Sequence, residues 1–168
     1  RVCGKNGGRK GNIPSRHTVL RPFRSTGGKD DDGAFTGMGI NMKIDILSLF
    51  PEFIEAFFRQ SMIKRALDAG LIEMAVTDPR EFSHSRHHQV DDTIYGGGAG
   101  MLMQCGPLFE ACESVLPQKG PRDRVVFLSP AGIPFTQDKA KELYRDYDHL
   151  VLICGHYEGV DHRVEEHL

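Results

Sequence analysis

Three short segments of the chain combine glycine with residues that can bind a ligand or move a proton. They are YGGGAGM at residues 95–101, LSPAG at 128–132 and CGHYEG at 154–159. Glycine lets the backbone approach a ligand closely, and the N–H groups of such a loop can hold an anion or the edge of a base. Each segment alone is weak support for a binding site, because a glycine after a strand usually marks only a turn. The third segment also carries two titratable side chains, those of His156 and Glu158.

The segment with the densest polar chemistry, SHSRHHQVDDTIYGGGAG at 83–100, leads into the first glycine loop. Within it, His84 and His88 have the i, i+4 spacing of a metal-binding pair, but zinc would need further ligands from elsewhere in the chain. A solvated loop with scattered histidines is a second interpretation. The third is contact with a nucleotide, because arginine, histidine and paired acids match the hydrogen-bonding edges of bases. Since a long polar loop is uncommon in a compact domain unless it has a function, we favour the nucleotide and predict no metal site.

The elements that must position these loops alternate between strand and helix from Met42 onward. Apolar runs predict strands over 44–50, 71–77, 124–128 and 150–154. Three-and-four spacing predicts a helix from Pro51 through Leu67 with Gly70 as its stop, and further helices over 107–116 and 136–147, the last capped by Thr136. Buried strands separated by helices predict an α/β domain, with a mostly parallel sheet and helices on both faces.

In a parallel sheet the ligand site lies beyond the carboxyl ends of the strands. LSPAG follows the third predicted strand, and CGHYEG follows the fourth. Because consecutive strands of such a sheet usually neighbour each other, we expect these two loops side by side at that edge. The chain lacks the G-x-x-x-x-G-K-[ST] signature, and no G-x-G-x-x-G opens a helix after the first strand, so neither common nucleotide fold is indicated.

Residues 1–41 differ in composition from the rest of the chain. They contain nine of the 19 glycines, eight Lys/Arg and an acidic run at 30–32, without a periodic apolar pattern. Because such a segment cannot repay the entropy of ordering, we predict a disordered tail. A basic arm for nucleic acid is the alternative. An arm normally follows an initiator methionine, so we interpret the tail as upstream translated sequence or an artificial addition, with Met42 as the natural start.

The chain as a whole has the composition of one ordinary soluble domain, with 168 residues, 39% apolar content and a formal charge of −2. No apolar run approaches the roughly 18 to 20 residues of a membrane span. The sequence shows no signal-peptide pattern, and its four cysteines include no C-x-x-C pair. We therefore expect a reducing, cytoplasmic location and no membrane partner.

Four motifs resemble those of a known family, in the same order and at similar separations. They are MKIDILSLFPE, VDDTIYGGGAGM, FLSPAG and LICGHYEGVDHRV, and the family is the bacterial tRNA (guanine-37-N1)-methyltransferase of the SPOUT class. The resemblance runs from Met42 to Leu168. It implies S-adenosyl-L-methionine as cofactor and methylation of guanine N1 at tRNA position 37. It also implies a homodimer with active sites at the subunit interface, and a trefoil knot that forms the cofactor pocket.

The resemblance also assigns two sets of contact residues. Residues expected to line the cofactor pocket are Leu128, Ser129, Pro130, Ala131 and Gly132 on one wall and Gly155, Tyr157, Glu158 and Gly159 on the other. Residues expected to receive the anticodon region of tRNA are Asp91, Tyr95, Gly96, Gly97, Gly98 and Gly100. Considered without the resemblance, Tyr157 and Glu158 could also form a helix-capping turn.

The chemistry of methylation requires a base, because guanine N1 carries a proton at neutral pH, and a donor that stabilises charge on O6. Glu158 and His156 are the titratable groups of the CGHYEG loop and are weak candidates for that base. The resemblance instead implies an aspartate base with an arginine partner, both beyond Leu168. We therefore assign no catalytic residue within this chain beyond those two weak candidates.

The resemblance further implies a segment after Leu168 that completes the knot and the pocket, and then a tRNA-binding domain. We expect a truncated chain with an incomplete knot that is inactive by itself. From Met42 onward the chain has 13 Lys/Arg and 20 Asp/Glu, a net charge of −7 that suits phosphate binding poorly. Two alternatives remain open, which are another α/β nucleotide- or RNA-binding enzyme and a non-catalytic interaction fragment.

Overall fold

The computed structural model describes residues 18–20 and 42–168. Its strands are β1 (Thr18–Leu20), β2 (Met42–Leu47), β3 (Ile72–Thr77), β4 (Asp91–Thr93), β5 (Met101–Met103), β6 (Asp123–Leu128) and β7 (His149–Cys154). Its helices are α1 (Pro51–Phe58), α2 (Ser61–Asp68), α3 (Cys105–Val115), α4 (Gln137–Asp146) and α5 (Arg163–His167), with a 3₁₀ turn at Pro79–Phe82. Among these residues no helix combines the length and apolar character that crossing a membrane requires.

Five of the strands form one sheet in the order β1-β3-β2-β7-β6. Strands β3, β2, β7 and β6 run parallel to one another. β1 pairs antiparallel with β3 at the edge of the sheet. β4 and β5 form a separate antiparallel pair. The predicted α/β class with a mostly parallel sheet is confirmed, because helices connect the parallel strands and cover the sheet.

The side chains of β2 alternate between two hydrophobic cores, one on each face of the sheet. Leu47 packs on the face that α3 and α5 cover. Ile46 packs on the opposite face, against α1 and α2. The second face is also covered by α4, since its Leu143 packs with Leu150 of β7. Helices on both faces were predicted, and both cores confirm them.

The helix predicted from Pro51 through Leu67 is wrong in one respect, because it is two helices. α1 ends before residues 59–60, and α2 begins at Ser61, whose φ is +45°. The apolar spacing continues through the break, so periodicity gave no sign of it. Gly70 ends α2 with a φ of +66°, which is the left-handed conformation expected of a glycine stop.

The prediction that residues 1–41 lack regular structure is wrong for three of them. Thr18–Leu20 pair antiparallel with β3, with Val19 opposite Ala75. Without this strand, the edge of β3 would present a row of unpaired N–H and C=O groups. A Thr-Val-Leu sequence has the β-branched and apolar character that suits an added edge strand. The remainder of that prediction lies outside the described residues.

A buried cluster of charged groups joins β2 to β7 near the amino ends of these strands. The Asp45 side chain is 4% exposed, and its Oδ2 lies 2.7 Å from His149 Nε2 and 2.8 Å from Lys43 Nζ. Burial raises the pKa of Asp45, but the hydrogen bonds from His149 and Lys43 outweigh it, so the pKa lies below its ordinary value. The carboxylate therefore stays ionised inside the fold with partners for its charge.

We predict that Asp45→Ala lowers the free energy of unfolding by about 2 kcal/mol at neutral pH, because it removes the hydrogen-bond partner of the largely buried His149 side chain and of Lys43. The folded pKa of Asp45 lies below the unfolded one, so its contribution is present above about pH 3.8 and is lost as the pH falls further. Urea unfolding at neutral and acid pH measures both effects.

The matched control is Asp68→Ala, which removes an ion pair with Lys64 whose side chains are both more than half exposed. That change should cost less than about 1 kcal/mol. Equal losses for the two variants would contradict a structural role for the buried cluster.

Candidate functional site

The LSPAG and CGHYEG loops leave neighbouring strands at the same edge of the sheet. β6 and β7 pair in parallel, and their last residues, Leu128 and Cys154, lie opposite each other. The prediction that the two loops begin side by side at the carboxyl edge is confirmed. The cause is the parallel register of two consecutive strands of the same length, six residues each.

The CGHYEG loop has a constrained backbone. Tyr157 has a φ of +62°, an uncommon conformation for a residue other than glycine. A Cβ on Gly155 would lie 3.1 Å from the side chain of Val160 and 3.4 Å from the ring of Phe127. The position therefore favours glycine, and the strained tyrosine beside it is typical of functional loops.

Backbone hydrogen bonds join the CGHYEG loop to β5, which carries the end of the first glycine loop. Glu158 N–H donates to the Met101 carbonyl at 3.1 Å, and Met103 N–H donates to the Gly159 carbonyl at 2.9 Å. Asp161 N–H then donates to the Met103 carbonyl at 3.0 Å. The YGGGAGM and CGHYEG motifs are far apart in sequence, but the fold places them in direct contact.

Gly100 is the point of closest approach between these two motifs. Its φ is +116°, and a Cβ there would lie 2.4 Å from Cγ of Glu158. Both the backbone conformation and the space disfavour a larger residue. Glu158, the titratable residue of one loop, therefore packs against the other loop.

The rest of the first glycine loop is exposed. Gly96, Gly97 and Gly98 all have positive φ values, and Tyr95 is 78% exposed. The base of the loop is held by the β4–β5 pair, in which Asp91 lies opposite Met103. All six residues predicted to contact RNA thus belong to one protruding hairpin.

The LSPAG loop forms a tight turn. Ala131 N–H donates to Ser129 Oγ at 3.2 Å, and Gly132 N–H donates to the Ser129 carbonyl at 3.1 Å. Two cavities flank β6 at this loop, one of about 460 Å³ bordered by α5 and one of about 650 Å³ bordered by α4. Neither is lined by residues 155–159, so the two expected walls of the cofactor pocket do not enclose one cavity in this structure.

The two weak candidates for the base both face solvent. His156 lies between aromatic neighbours, with its ring centroid 5.0 Å from that of Phe50 and 4.8 Å from that of Tyr157. Glu158 is exposed beside Gly100. Neither environment excludes water, which a base acting on a bound guanine would require.

His84 and His88 make separate contacts. His84 Nε2 lies 2.8 Å from Glu110 Oε1, whereas His88 Nδ1 lies 3.2 Å from the carbonyl oxygen of Arg80. Within residues 42–168 no three His, Cys, Asp or Glu side chains form a group that could hold a metal ion.

Sequence reasoning missed Arg163 as a contact of the site. Its Nε donates to Asp161 Oδ1 at 2.9 Å, and its Nη2 donates to the hydroxyl of Tyr95 at 3.3 Å. The hydrogen bond from Arg163 holds the pKa of Asp161 below its ordinary value. The available signal was an acid two residues before an arginine, directly after the CGHYEG motif.

The fold and the contacts at its carboxyl edge define an α/β domain whose candidate site is built from glycine loops at the strand ends. A family model, described as tRNA (Guanine-1)-methyltransferase TrmD, matches residues 42–168. The chain belongs to that family.

Two curated relatives carry the name tRNA (guanine-N(1)-)-methyltransferase. The one from Dehalococcoides mccartyi is 51% identical over 127 residues, which cover 76% of this chain and 51% of the relative. The one from Pelotomaculum thermopropionicum is 52% identical over 128 residues, which cover 76% of this chain and 51% of the relative. The chain thus spans about half the length of these relatives.

A solved structure gives the same result. The crystal structure of tRNA (m1G37) methyltransferase from Aquifex aeolicus matches with a TM-score of 0.65 and 33% identity. The match covers 75% of this chain and 56% of that chain.

We predict that Gly100→Ala destabilises the contact between the two motifs. The added methyl group would displace the side chain of Glu158 and hold the backbone at an unfavourable φ, so the variant should lose about 1 to 3 kcal/mol. Gly97→Ala is the matched control, because its φ is also positive, at +80°, but nothing lies within 4 Å of its Cβ.

Hydrogen exchange of the Glu158 amide and urea unfolding measure the two variants. Faster exchange only in Gly100→Ala is the expected result. The same response in both variants would show that backbone strain, and not contact with Glu158, explains the glycine.

Proposed function

We propose that this chain supplies the cofactor loops and the RNA-facing loop of an enzyme that transfers a methyl group from S-adenosylmethionine to guanine N1 at tRNA position 37. The observation that carries the proposal is the contact of Gly100 with Glu158, which brings an exposed glycine hairpin against the CGHYEG loop. Membership of the tRNA (Guanine-1)-methyltransferase family supports the reaction. A methyl donor and its acceptor must meet within a few ångströms, and two loops in contact meet that requirement.

The cofactor would be held by residues 128–132 and 155–159. The two cavities at β6 have volumes of about 460 and 650 Å³, within the range of small-molecule sites. The LSPAG turn borders both of them, and the CGHYEG loop starts at the adjacent strand end. The cavities therefore fit the cofactor in their volume and in their position at the strand ends. When bound, the cofactor supplies an electrophilic methyl group, and the protein's part is to orient it and exclude water.

The RNA would be received by the hairpin of residues 91–103. Its glycines leave the backbone open to a flat base, and Asp91 and Tyr95 add polar groups beside them. The net charge of −7 from Met42 onward opposes binding of the phosphate backbone. We therefore propose that most of the affinity for tRNA comes from sequence outside this chain.

The proton on guanine N1 must leave as the methyl group arrives. Glu158 and His156 stand nearest to the proposed meeting point of cofactor and base, but both are exposed. We propose that the effective base is an aspartate with an arginine partner, in the half of the relatives' length that this chain does not span. That half would also complete the knot and close the cofactor pocket.

We also propose that the chain acts as a homodimer in the cytoplasm, with residues 42–168 as the methyltransferase domain and Thr18–Leu20 added at the edge of its sheet. An apolar surface on α1 and α2 supports self-association, because Phe53 is 67% exposed, Phe57 57% and Met62 77%. Monomeric proteins rarely expose contiguous apolar patches that are not functional.

Sedimentation analysis tests the dimer. We predict a dimer for the native chain and a monomer for a double variant with Phe53→Lys and Phe57→Lys, because two charges cannot be buried in an apolar interface without partners. Tyr144→Lys, at a half-exposed position of α4, is the control and should remain dimeric. A native chain that sediments as a monomer at all concentrations would contradict the proposal.

We predict that this chain alone does not methylate tRNA. Loss of a general base costs about 10²- to 10⁴-fold, and loss of positioning is a separate, comparably large factor. The measurement is methyl transfer from labelled S-adenosylmethionine to a tRNA with guanine directly after its anticodon. A chimera that continues after Leu168 with the remaining half of the Dehalococcoides mccartyi relative is the comparison.

Activity in the chimera and none in the chain alone is the expected result. Equal rates would show that the base lies within this chain, with Glu158 or His156 in that role. A second chimera with Glu158→Gln would then decide between the two residues.

A further inference from the structure

Arg163 connects two parts of the site that are 68 residues apart in sequence. Its guanidinium group donates two hydrogen bonds to the Asp161 carboxylate and one, at 3.3 Å, to the hydroxyl of Tyr95. Asp161 directly follows the CGHYEG loop and Val160, whereas Tyr95 begins the glycine hairpin. One side chain thus contacts both the proposed cofactor side and the proposed RNA side.

The end of this connection at Asp161 is fixed to the core. Asp161 is bonded through its backbone to Met103, which is fully buried, at 3.0 Å. Its carboxylate also accepts from the N–H of Arg163 at 3.0 Å, which closes a local turn. Val164, which follows Arg163 in the chain, is 1% exposed and belongs to the core beneath α3. The guanidinium group is therefore held in place from its own side.

Tyr95, at the other end of this connection, belongs to a loop that few contacts hold in place. Tyr95 is largely exposed, and four glycines with positive φ follow it, at 96, 97, 98 and 100. Glycine carries the largest conformational entropy of any residue, so an unsupported loop of this kind would sample many shapes. Two side-chain contacts connect the loop to residues 158–163, namely Gly100 with Glu158 at its far end and Tyr95 with Arg163 at its start.

We propose that Arg163 is a positioning residue, which fixes the glycine hairpin in the conformation that receives RNA. The choice of RNA as the ligand rests on the proposed function. The tether itself, the hydrogen bond between Arg163 and Tyr95, does not. A loop that is already ordered loses less entropy when it binds, so the tether strengthens RNA binding without touching the methyl group. One hydrogen bond of this kind corresponds to roughly a two- to tenfold effect on affinity.

The first test uses this chain and no ligand. Tyr95→Phe removes only the accepting hydroxyl, and Arg163→Gln removes the charged donor. We expect ¹⁵N relaxation to show larger fast motions at the amides of Gly96, Gly97 and Gly98 in either variant. The double variant should show no more motion than either single one, because both changes break the same bond.

The control is Arg122→Gln, which breaks a similar bidentate pair with Asp148, next to the first residue of β7. It should leave the three glycine amides unchanged. Unchanged glycine amides in Tyr95→Phe, or motions that add in the double variant, would overturn the positioning role.

The second test uses the chimera described above and measures the KM for tRNA. Arg163→Gln should raise this KM roughly two- to tenfold by loosening the hairpin, with a smaller change in kcat. Tyr95→Phe should raise it at least as much, because Tyr95 is itself one of the proposed RNA contacts. Arg163→Lys should restore part of the loss in Arg163→Gln, because lysine keeps a charged donor. An unchanged KM for tRNA beside increased loop motion would show that the tether does not serve RNA. A chimera without any methyl transfer would instead contradict the proposed function and leave the relaxation result standing.

Discussion

The structure of the site depends on the backbone pairing of β5 with the segment that follows β7. Met103 is fully buried, and its N–H and carbonyl groups both bond to that segment, at Gly159 and Asp161. Each such bond contributes about 1 kcal/mol net, but breaking one inside the core would leave a buried polar group unsatisfied at a larger cost. Because these bonds fix the register, the glycine hairpin of residues 91–103 must lie against the CGHYEG loop. Gly100 is then favoured, since its φ is +116° and a side chain there would have to displace that of Glu158.

This pairing explains how an α/β sheet can bring three loops together at one edge. The parallel strands β6 and β7 deliver LSPAG and CGHYEG to the same edge through their shared register. The next parallel strand, β2, adds only a three-residue connection to α1, from which Phe50 contacts the ring of His156. The β4–β5 hairpin supplies the third loop from the side, with the Asp161–Arg163 pair as a second connection to the hairpin. At the opposite end of the sheet, the buried and ionised Asp45 links β2 to β7 through its contacts with Lys43 and His149.

Much of the fold could be predicted from periodicity and end signals, whereas contacts between distant segments could not. Thr136 caps α4 as predicted, because a hydroxyl that accepts from Lys139 N–H at 3.2 Å is a local interaction. The break before Ser61 was missed because the apolar spacing continues across it, and β1 was missed because only the open edge of β3 makes a Thr-Val-Leu strand favourable.

The glycine motifs indicated a site, but the contact of Gly100 with Glu158 depends on strand register. Tyr95 and Arg163 are likewise joined only in three dimensions. The family resemblance implied that residues 128–132 and 155–159 are two walls of one pocket, and in this structure they begin at the same edge of the sheet without enclosing one cavity.

The central claim is that the carboxyl edge of the sheet is where the methyl donor binds. A titration of the ¹⁵N-labelled chimera with S-adenosylmethionine, followed in ¹H–¹⁵N spectra, tests it most directly. The chimera is used because the added half would close the pocket. The account predicts concentration-dependent shifts at the amides of Gly132, Gly155 and Gly159, with Gly70 and Gly120 unchanged. Shifts confined to the opposite edge, near Gly120 and His149, or no shifts at saturating cofactor, would contradict it.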